Sequence, residues 1–201
     1  MSGRAGTKGV PRAQREELIL DAAQAEFGLR GYAHASVPAV AAAAGVSKPL
    51  VYAYFGSRAD LYAACVAQVG ERLVAAVRAA QGSGDAGSRA LATLEALFVA
   101  LDGRPYVWNI LYDNTIRRDD AVWEIARPYR EQLDDMGHEG VVAVLAPTSA
   151  TPHDADASLL RALWFSAVTT VISWWSDHPD ESPAEMTERC RRVFGALLRR
   201  S

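Results

Sequence analysis

From Ala13 onward the apolar residues recur at helical spacing. Ile19, Ala23 and Phe27 fall at i, i+4 and i+8, and Gly31 stands as a C-cap candidate for that run. Val37, Val40, Ala41 and Ala44 make one clean helical face, and Gly45 breaks it. Ser47 to Phe55 reads as a further short helix, ended by Gly56-Ser57, and a longer helix runs from about Arg58 to Ala80. Gln81 to Gly87 is a loop. Helical patterns then occupy roughly 88–101, 105–118, 120–145, 154–177 and 183–199. Asp102-Gly103, Asp119-Asp120, Pro147 to Pro152 and Pro179 to Pro183 separate them. Pro128, inside the 120–145 pattern, predicts a kink or a boundary. Strand alternation and internal repeats are both missing from the pattern. The chain therefore reads as all-α, with about nine helices.

Composition agrees with that pattern. Alanine, the best helix former, supplies 37 of the 201 residues. Half the residues are hydrophobic and 22% are charged, a globular balance that excludes wholesale disorder. Cys65 and Cys190 cannot by themselves ligate a zinc ion, and a reduced compartment is the expectation. There is no run of 18 apolar residues, so no transmembrane helix is expected. Residues 1–12 read as a flexible basic arm without the apolar stretch of a secretory signal, which points to a cytoplasmic protein. Net charge is −3, unevenly spread: residues 1–60 carry +2 and residues 61–201 carry −5. Arg4, Lys8, Arg12 and Arg15 precede the first acid, a weak sign of a polyanionic partner at that end.

Two short helices joined by a glycine turn outline a helix-turn-helix. Ser36 and Ser47 each stand where an N-cap belongs, and Pro38 and Pro49 fall in the first turns, where a missing N–H costs nothing. Free N–H groups at two such helix ends attract phosphate. On the second helix Val46, Leu50, Val51 and Phe55 supply the buried side, leaving Lys48, Pro49, Tyr52 and Ala53 outward. A lysine, a tyrosine and small residues suit a major groove. A solvated face with an incidental tyrosine fits the same pattern, so the spacing alone leaves both readings open.

The stretch from about Arg15 to Leu61 resembles the DNA-binding domain of TetR-family transcriptional regulators. The matching residues include Ile19-Leu20-Asp21-Ala22-Ala23, Phe27, Gly31-Tyr32, Ser36-Val37 and Ala42. They continue through Ala44-Gly45-Val46-Ser47-Lys48, Tyr52, Tyr54-Phe55, Ser57-Arg58 and Asp60-Leu61. The resemblance implies a flexible arm at 1–12, a three-helix DNA-binding domain at 13–57, and a larger helical ligand-binding and dimerisation domain at 58–201. It implies that Ser36, Ser47, Tyr54 and Arg58 touch phosphate and that Lys48 and Tyr52 enter the major groove. Pro49 and Ala53 depart from residues common in the family: the first removes a backbone donor, the second a polar base reader. The operator sequence is therefore open. The implied protein is a homodimer on a palindromic operator, released by a small, largely apolar effector when the 58–80 helix shifts. A repressor is expected, with an activator or an architectural factor without effector as alternatives. No cofactor is implied.

Beyond the resembling stretch, the 154–177 helix is apolar on two faces. Leu160, Leu163, Ala167, Thr170 and Trp174 form one, and Trp164, Val168, Val171 and Trp175 the other. A partner subunit is a natural cover for one of them, joined by Val193, Phe194 and Leu197 of the last helix in a four-helix seam of the kind TetR-like regulators use. An ordinary core helix is the plainer alternative. Trp108, Leu111, Tyr112 and Thr115 share a face of the 105–118 pattern, and Phe98, Trp123 and Trp164 could converge on it. With Asn109, Asp113 and Arg117 they would make an apolar pocket, although each aromatic taken alone fits a core position better. The four histidines show no trusted metal-ligand spacing, and no catalytic glycine or nucleophile motif occurs, so the chain is not read as an enzyme. Both cysteines lie on apolar stripes and read as inert core thiols rather than sensors.

Overall fold

A computed structural model describes residues 11–81, 86–145 and 154–198, with the side chains of 86, 138–145, 154, 197 and 198 left aside. The basic arm up to residue 10 and the loop residues 82–85 lie outside the described residues. Ten helices occupy the described residues: α1 (Arg12–His34), α2 (Val37–Ala44), α3 (Lys48–Phe55), α4 (Arg58–Ala80), α5 (Ala86–Leu101), α6 (Trp108–Leu111), α7 (Ala121–Ile125), α8 (Arg127–Leu145), α9 (Asp154–Ser176) and α10 (Pro183–Leu198). The order is the expected all-α one, with two corrections. The 105–118 stretch is not one helix. A single 3-10 turn, Pro105–Val107, leads into the one-turn α6, and Tyr112 leaves helical geometry at φ −118° and ψ 40°. The 120–145 stretch divides at Ala126, which places Pro128 in the first turn of α8, where its lack of an N–H is harmless.

Packing divides the chain into two units. One runs up to Gly70 and includes Tyr106–Pro128; the other comprises Glu71–Pro105 and Tyr129–Ser201. The first unit is built around Ile19, Ala23 and Phe27 of α1, the residues whose spacing announced that helix, all fully buried. Val37, Val40 and Ala41 of α2 and Val51 of α3 close over them. On α3 the expected inner side is only partly hidden: Val51 is buried, while Val46, Leu50 and Phe55 are half-buried. The first half of α4 adds Leu61, Tyr62, Cys65 and Val66. Tyr62 sits edge-on to Phe27 at 5.1 Å, and its hydroxyl donates to the Ile110 carbonyl at 2.6 Å.

Serines start these helices. The Ser36 hydroxyl accepts from Ala39 N–H and the Ser47 hydroxyl from Leu50 N–H, so both N-caps stand where the sequence put them. At α4 Ser57 and Asp60 cap each other reciprocally: Asp60 N–H donates to the Ser57 hydroxyl while Ser57 N–H and O–H donate to the Asp60 carboxylate. Ser182 and Glu185 repeat the device at α10.

Gly31, expected as the C-cap of α1, lies inside the helix instead, and Ala35 takes the C-cap. It takes φ 72° and ψ 160°, a kink within the helix that only glycine adopts without strain. The following N–H, of Tyr32, donates to the Asp113 carboxylate at 2.5 Å, and Ala33 N–H donates to the Thr115 hydroxyl. Asp113 is buried and also accepts from the N–H and hydroxyl of Thr115. The segment after α6 is thereby bound to the end of α1. Asn109 extends the connection by donating to the Gly28 carbonyl at 3.0 Å.

In the second unit α5 packs on α10, with Leu94, Leu97, Phe98 and Leu101 inward from α5 and Met186 and Cys190 inward from α10. On α9 only one of the two apolar faces is covered. Val168, Ile172 and Trp175 are buried, whereas Leu159, Leu163 and Trp174 are exposed. Residues 155–176 are long and apolar enough, by length and composition, to cross a membrane, with mean hydropathy 1.2 and 17% of the stretch buried. The averaged hydropathy thus qualifies one helix where uninterrupted apolar runs qualified none.

A Cβ on Gly31 would lie 2.5 Å from the Thr115 methyl, in addition to the strained dihedral. Gly31→Ala is expected to lower unfolding free energy by about 2–4 kcal/mol, read as a shift in the urea midpoint at constant slope. An unchanged midpoint would show that the kink is not required.

Candidate nucleic-acid interface

The exposed surface of α3 carries the residues expected there. Ser47, Lys48, Pro49 and Ala53 are exposed and Tyr52 is half-buried. Lys48 and Tyr52 lie one turn apart, and the lysine ammonium stands 5.7 Å from the tyrosine ring centre. The ring's apolar side is thereby covered while the ammonium remains in solvent. Because Ser47 caps with an oxygen lone pair, its O–H remains able to donate to a phosphate. Ser36 is more engaged. It is half-buried, its hydroxyl caps α2, and its N–H donates to Glu26 at 3.0 Å.

Tyr54 and Arg58 have protein partners. Arg15 donates to the Tyr54 hydroxyl at 3.3 Å, and the Arg12 guanidinium lies 5.3 Å from the Tyr54 ring centre. Arg58 donates to the Tyr32 carbonyl and stacks over the Tyr32 ring at 4.3 Å. Its guanidinium therefore fixes the turn at Gly31 in addition to whatever it does toward phosphate. The sequence reading missed the Arg12–Tyr54–Arg15 group because Tyr54 stands 39 or more positions from either arginine. It missed the Ser57–Asp60 cap although that Ser-x-x-Asp spacing was legible.

The aromatic residues expected to line one pocket are shared between the two packing units. Trp108 is buried in the first, with the Tyr112 ring 4.6 Å away, and Trp123 is half-buried on α7 beneath Arg118. Phe98 is fully buried in the second, edge-on to Trp175 at 5.4 Å, and Trp164 is half-buried on α9. The single helical face proposed for Trp108, Leu111, Tyr112 and Thr115 does not form, because the chain leaves the helix at Tyr112. The polar trio assigned to the same pocket is also spent elsewhere. Asn109 and Asp113 hold α1, and exposed Arg117 pairs with Asp119 at 2.8 Å.

An apolar groove of about 240 Å³ lies between α9 and α10, lined by Thr170, Val171, Trp174, Met186, Val193 and Phe194 among others. Of the residues expected at a subunit seam, Leu163, Thr170, Trp174 and Val193 are exposed, and Ala167 and Phe194 are half-buried. Leu197 lies in the last turn of α10 and its side chain is outside the described residues. Among the described residues no group of three His, Cys, Asp or Glu could hold a metal ion.

Both thiols are buried, and desolvation raises the pKa of each, far above the thiol range for Cys65. A protonated thiol is a poor nucleophile. Cys65 is accordingly expected to react with a chromogenic disulfide reagent at mildly alkaline pH only after denaturation. Immediate labelling of Cys65 in the folded protein would contradict its burial.

Residues 19–65 match the family model of bacterial regulatory proteins, tetR family. Over 106 residues the chain is 34% identical to the HTH-type transcriptional activator FasR of Mycolicibacterium smegmatis, which is 52% of this chain; the chain spans about half, 48%, of that curated relative. Among solved structures it resembles a TetR-like transcriptional regulator from Rhodococcus sp. RHA1, at 25% identity and a TM-score of 0.71, covering 96% of this chain and 100% of that one. The fold is also that of the transcriptional regulator FadR from Bacillus subtilis in complex with stearoyl-CoA, at 15% identity and a TM-score of 0.65, covering 90% and 96% of the two chains. Residues 19–65, which contain the capped helix-turn-helix, thus match the tetR family of bacterial regulatory proteins, and the all-helical architecture is similar to that of a TetR-like transcriptional regulator.

Proposed function

We propose that this chain is a ligand-responsive regulator that binds a palindromic DNA operator as a homodimer. The observation that carries the DNA half is the exposed α3 surface of Ser47, Lys48, Pro49, Tyr52 and Ala53 behind a serine-capped helix end. Lys48 supplies charge to phosphate or to a guanine edge, and Tyr52 and Ala53 supply apolar contact to a thymine methyl. Ser36, Ser47, Tyr54 and Arg58 hold the backbone.

The homodimer is supported by apolar surface left on one side of the second unit. Leu163 is 57% exposed, Trp174 38% and Val193 51%. In water such a face costs free energy until it is covered, and a second copy related by a two-fold axis covers it with the same face. A two-fold dimer in turn reads two half-sites roughly 34–36 Å apart. The FadR structure with stearoyl-CoA supports a small, largely apolar effector, for which a long-chain acyl thioester is the first probe. In this reading Phe98 and Trp164, both in the second unit, remain aromatic candidates for ligand contact. Effector and DNA then compete through a coupling of about 1–3 kcal/mol. Release from the operator makes the protein a repressor. The activator reading is favoured by FasR, which is named an activator. The expected compartment is the cytoplasm.

Selection from random duplex DNA is expected to enrich a palindrome with the wild-type protein and nothing with Lys48→Ala/Tyr52→Ala. Equal enrichment by both would move DNA reading away from α3. Transcription from a promoter carrying the palindrome, with and without stearoyl-CoA, then separates repressor from activator. Leu163→Asp/Trp174→Asp is expected to turn a dimer into a monomer by light scattering while helicity by circular dichroism is kept. A wild-type monomer, or co-sedimentation of the wild type with lipid vesicles, would overturn the seam.

A further inference from the structure

We propose that Glu26 of α1 is a positioning residue for DNA binding: it holds Ser36 at the start of α2 so that the Ser36 hydroxyl is the donor turned outward. That role rests on the DNA-binding reading above and adds to it a residue that touches no DNA itself. The Glu26 carboxylate is engaged at both oxygens. Oε1 accepts from the Ser36 N–H at 3.0 Å, and Oε2 pairs with Arg30 Nε at 3.3 Å. The Glu26 side chain is 14% exposed and that of Arg30 64%, so the carboxylate is the enclosed partner and the guanidinium the solvent-side one.

The contact spans the kink in α1. Glu26 lies five residues before Gly31 and Ser36 five residues after it, too far apart for any hydrogen bond within one helix. The turn at φ 72° brings the Ser36 N–H back to the carboxylate. Ser36 is thereby held in the extended geometry that an N-cap needs, at φ −131° and ψ 120°. Its carbonyl accepts from Val40 N–H at 3.1 Å, and its hydroxyl oxygen accepts from Ala39 N–H at 3.3 Å. With the N–H given to Glu26, the O–H is the donor Ser36 can offer a phosphodiester. A charged acceptor holds that N–H more firmly than a neutral one would. Because α2 packs against α3, a shift of the Ser36 end carries to the reading helix as well.

Reach and charge separate in two substitutions. Glu26→Asp keeps the charge on a side chain one methylene shorter; Glu26→Gln keeps the reach and an acceptor oxygen without the charge. Binding to a fluorescent mixed-sequence duplex of about 30 base pairs is followed by anisotropy between about 50 and 200 mM NaCl. Glu26→Asp is expected to weaken binding roughly tenfold at every salt concentration, the scale of one hydrogen bond to a charged group. The slope of log K against log salt stays that of the wild type, because no cation is withdrawn from phosphate. Glu26→Gln is expected to rescue the affinity. Ser36→Gly keeps a competent N-cap and the N–H while removing the hydroxyl. It is expected to weaken binding too, and to leave Glu26→Asp without further effect when the two are combined. Urea midpoints report the stability of each variant separately. A lowered midpoint with wild-type affinity in Glu26→Asp makes the contact purely structural and overturns the positioning role. Weakening by Glu26→Gln as large as by Glu26→Asp overturns it, and so does wild-type affinity in Ser36→Gly, whatever the Asp variant does. In each of these cases a loss of affinity in Lys48→Ala leaves the DNA reading intact. A wild-type protein that binds no duplex even at low salt overturns both.

Discussion

The peptide unit of Tyr32 is the point on which the first packing unit depends. Its N–H donates to buried Asp113, its carbonyl accepts from Arg58, and its ring lies against Phe27 and Tyr62. Only a glycine at position 31 lets the chain turn there with φ 72°. A buried carboxylate is costly unless its lone pairs are met, and Asp113 meets them with two backbone N–H groups and the Thr115 hydroxyl. That single arrangement ends the straight run of α1, aims the chain into Ser36 and α2, and ties the segment after α6 to the first unit. Chain continuity alone would have assigned residues 106–128 to the body.

The two units expose different chemistry. On the first, the outward residues of α3 and the opening turn of α1 are polar, basic or small. Under the proposed reading, that surface offers a DNA backbone the donors and positive charge it requires. On the second, α9 and α10 leave leucine, tryptophan and valine side chains exposed among charged and polar ones. Water opposes that exposure, and a second apolar surface relieves it.

Much of the fold was legible because helical periodicity is a local signal. The faces of α1 and α2, both serine caps and the break near Pro128 all follow from residues within one or two turns of each other. The 105–118 stretch misled for the same reason. Its apolar spacing is helical, but Asp113 and Thr115 are drawn to the end of α1, and the helix is given up after one turn to let them reach it. Asn109, Asp113 and Arg117 looked like pocket polar groups because spacing says nothing about the partner a side chain finds some eighty residues away.

Residues within a few positions of one another suffice to specify most of the helices, their caps and the family motif of the DNA-reading helix, since propensity, capping and amphipathic period are all short-range. Packing in three dimensions was needed to decide which apolar face of α9 is covered and which is left exposed, because both faces are built from similar residues. It was needed equally to bring Arg12 and Arg15 together at Tyr54, to set Arg58 on Tyr32, and to make Asp113 a structural anchor. These depend on which helices approach one another, and that is set by burial summed over a whole unit rather than by any local run of residues.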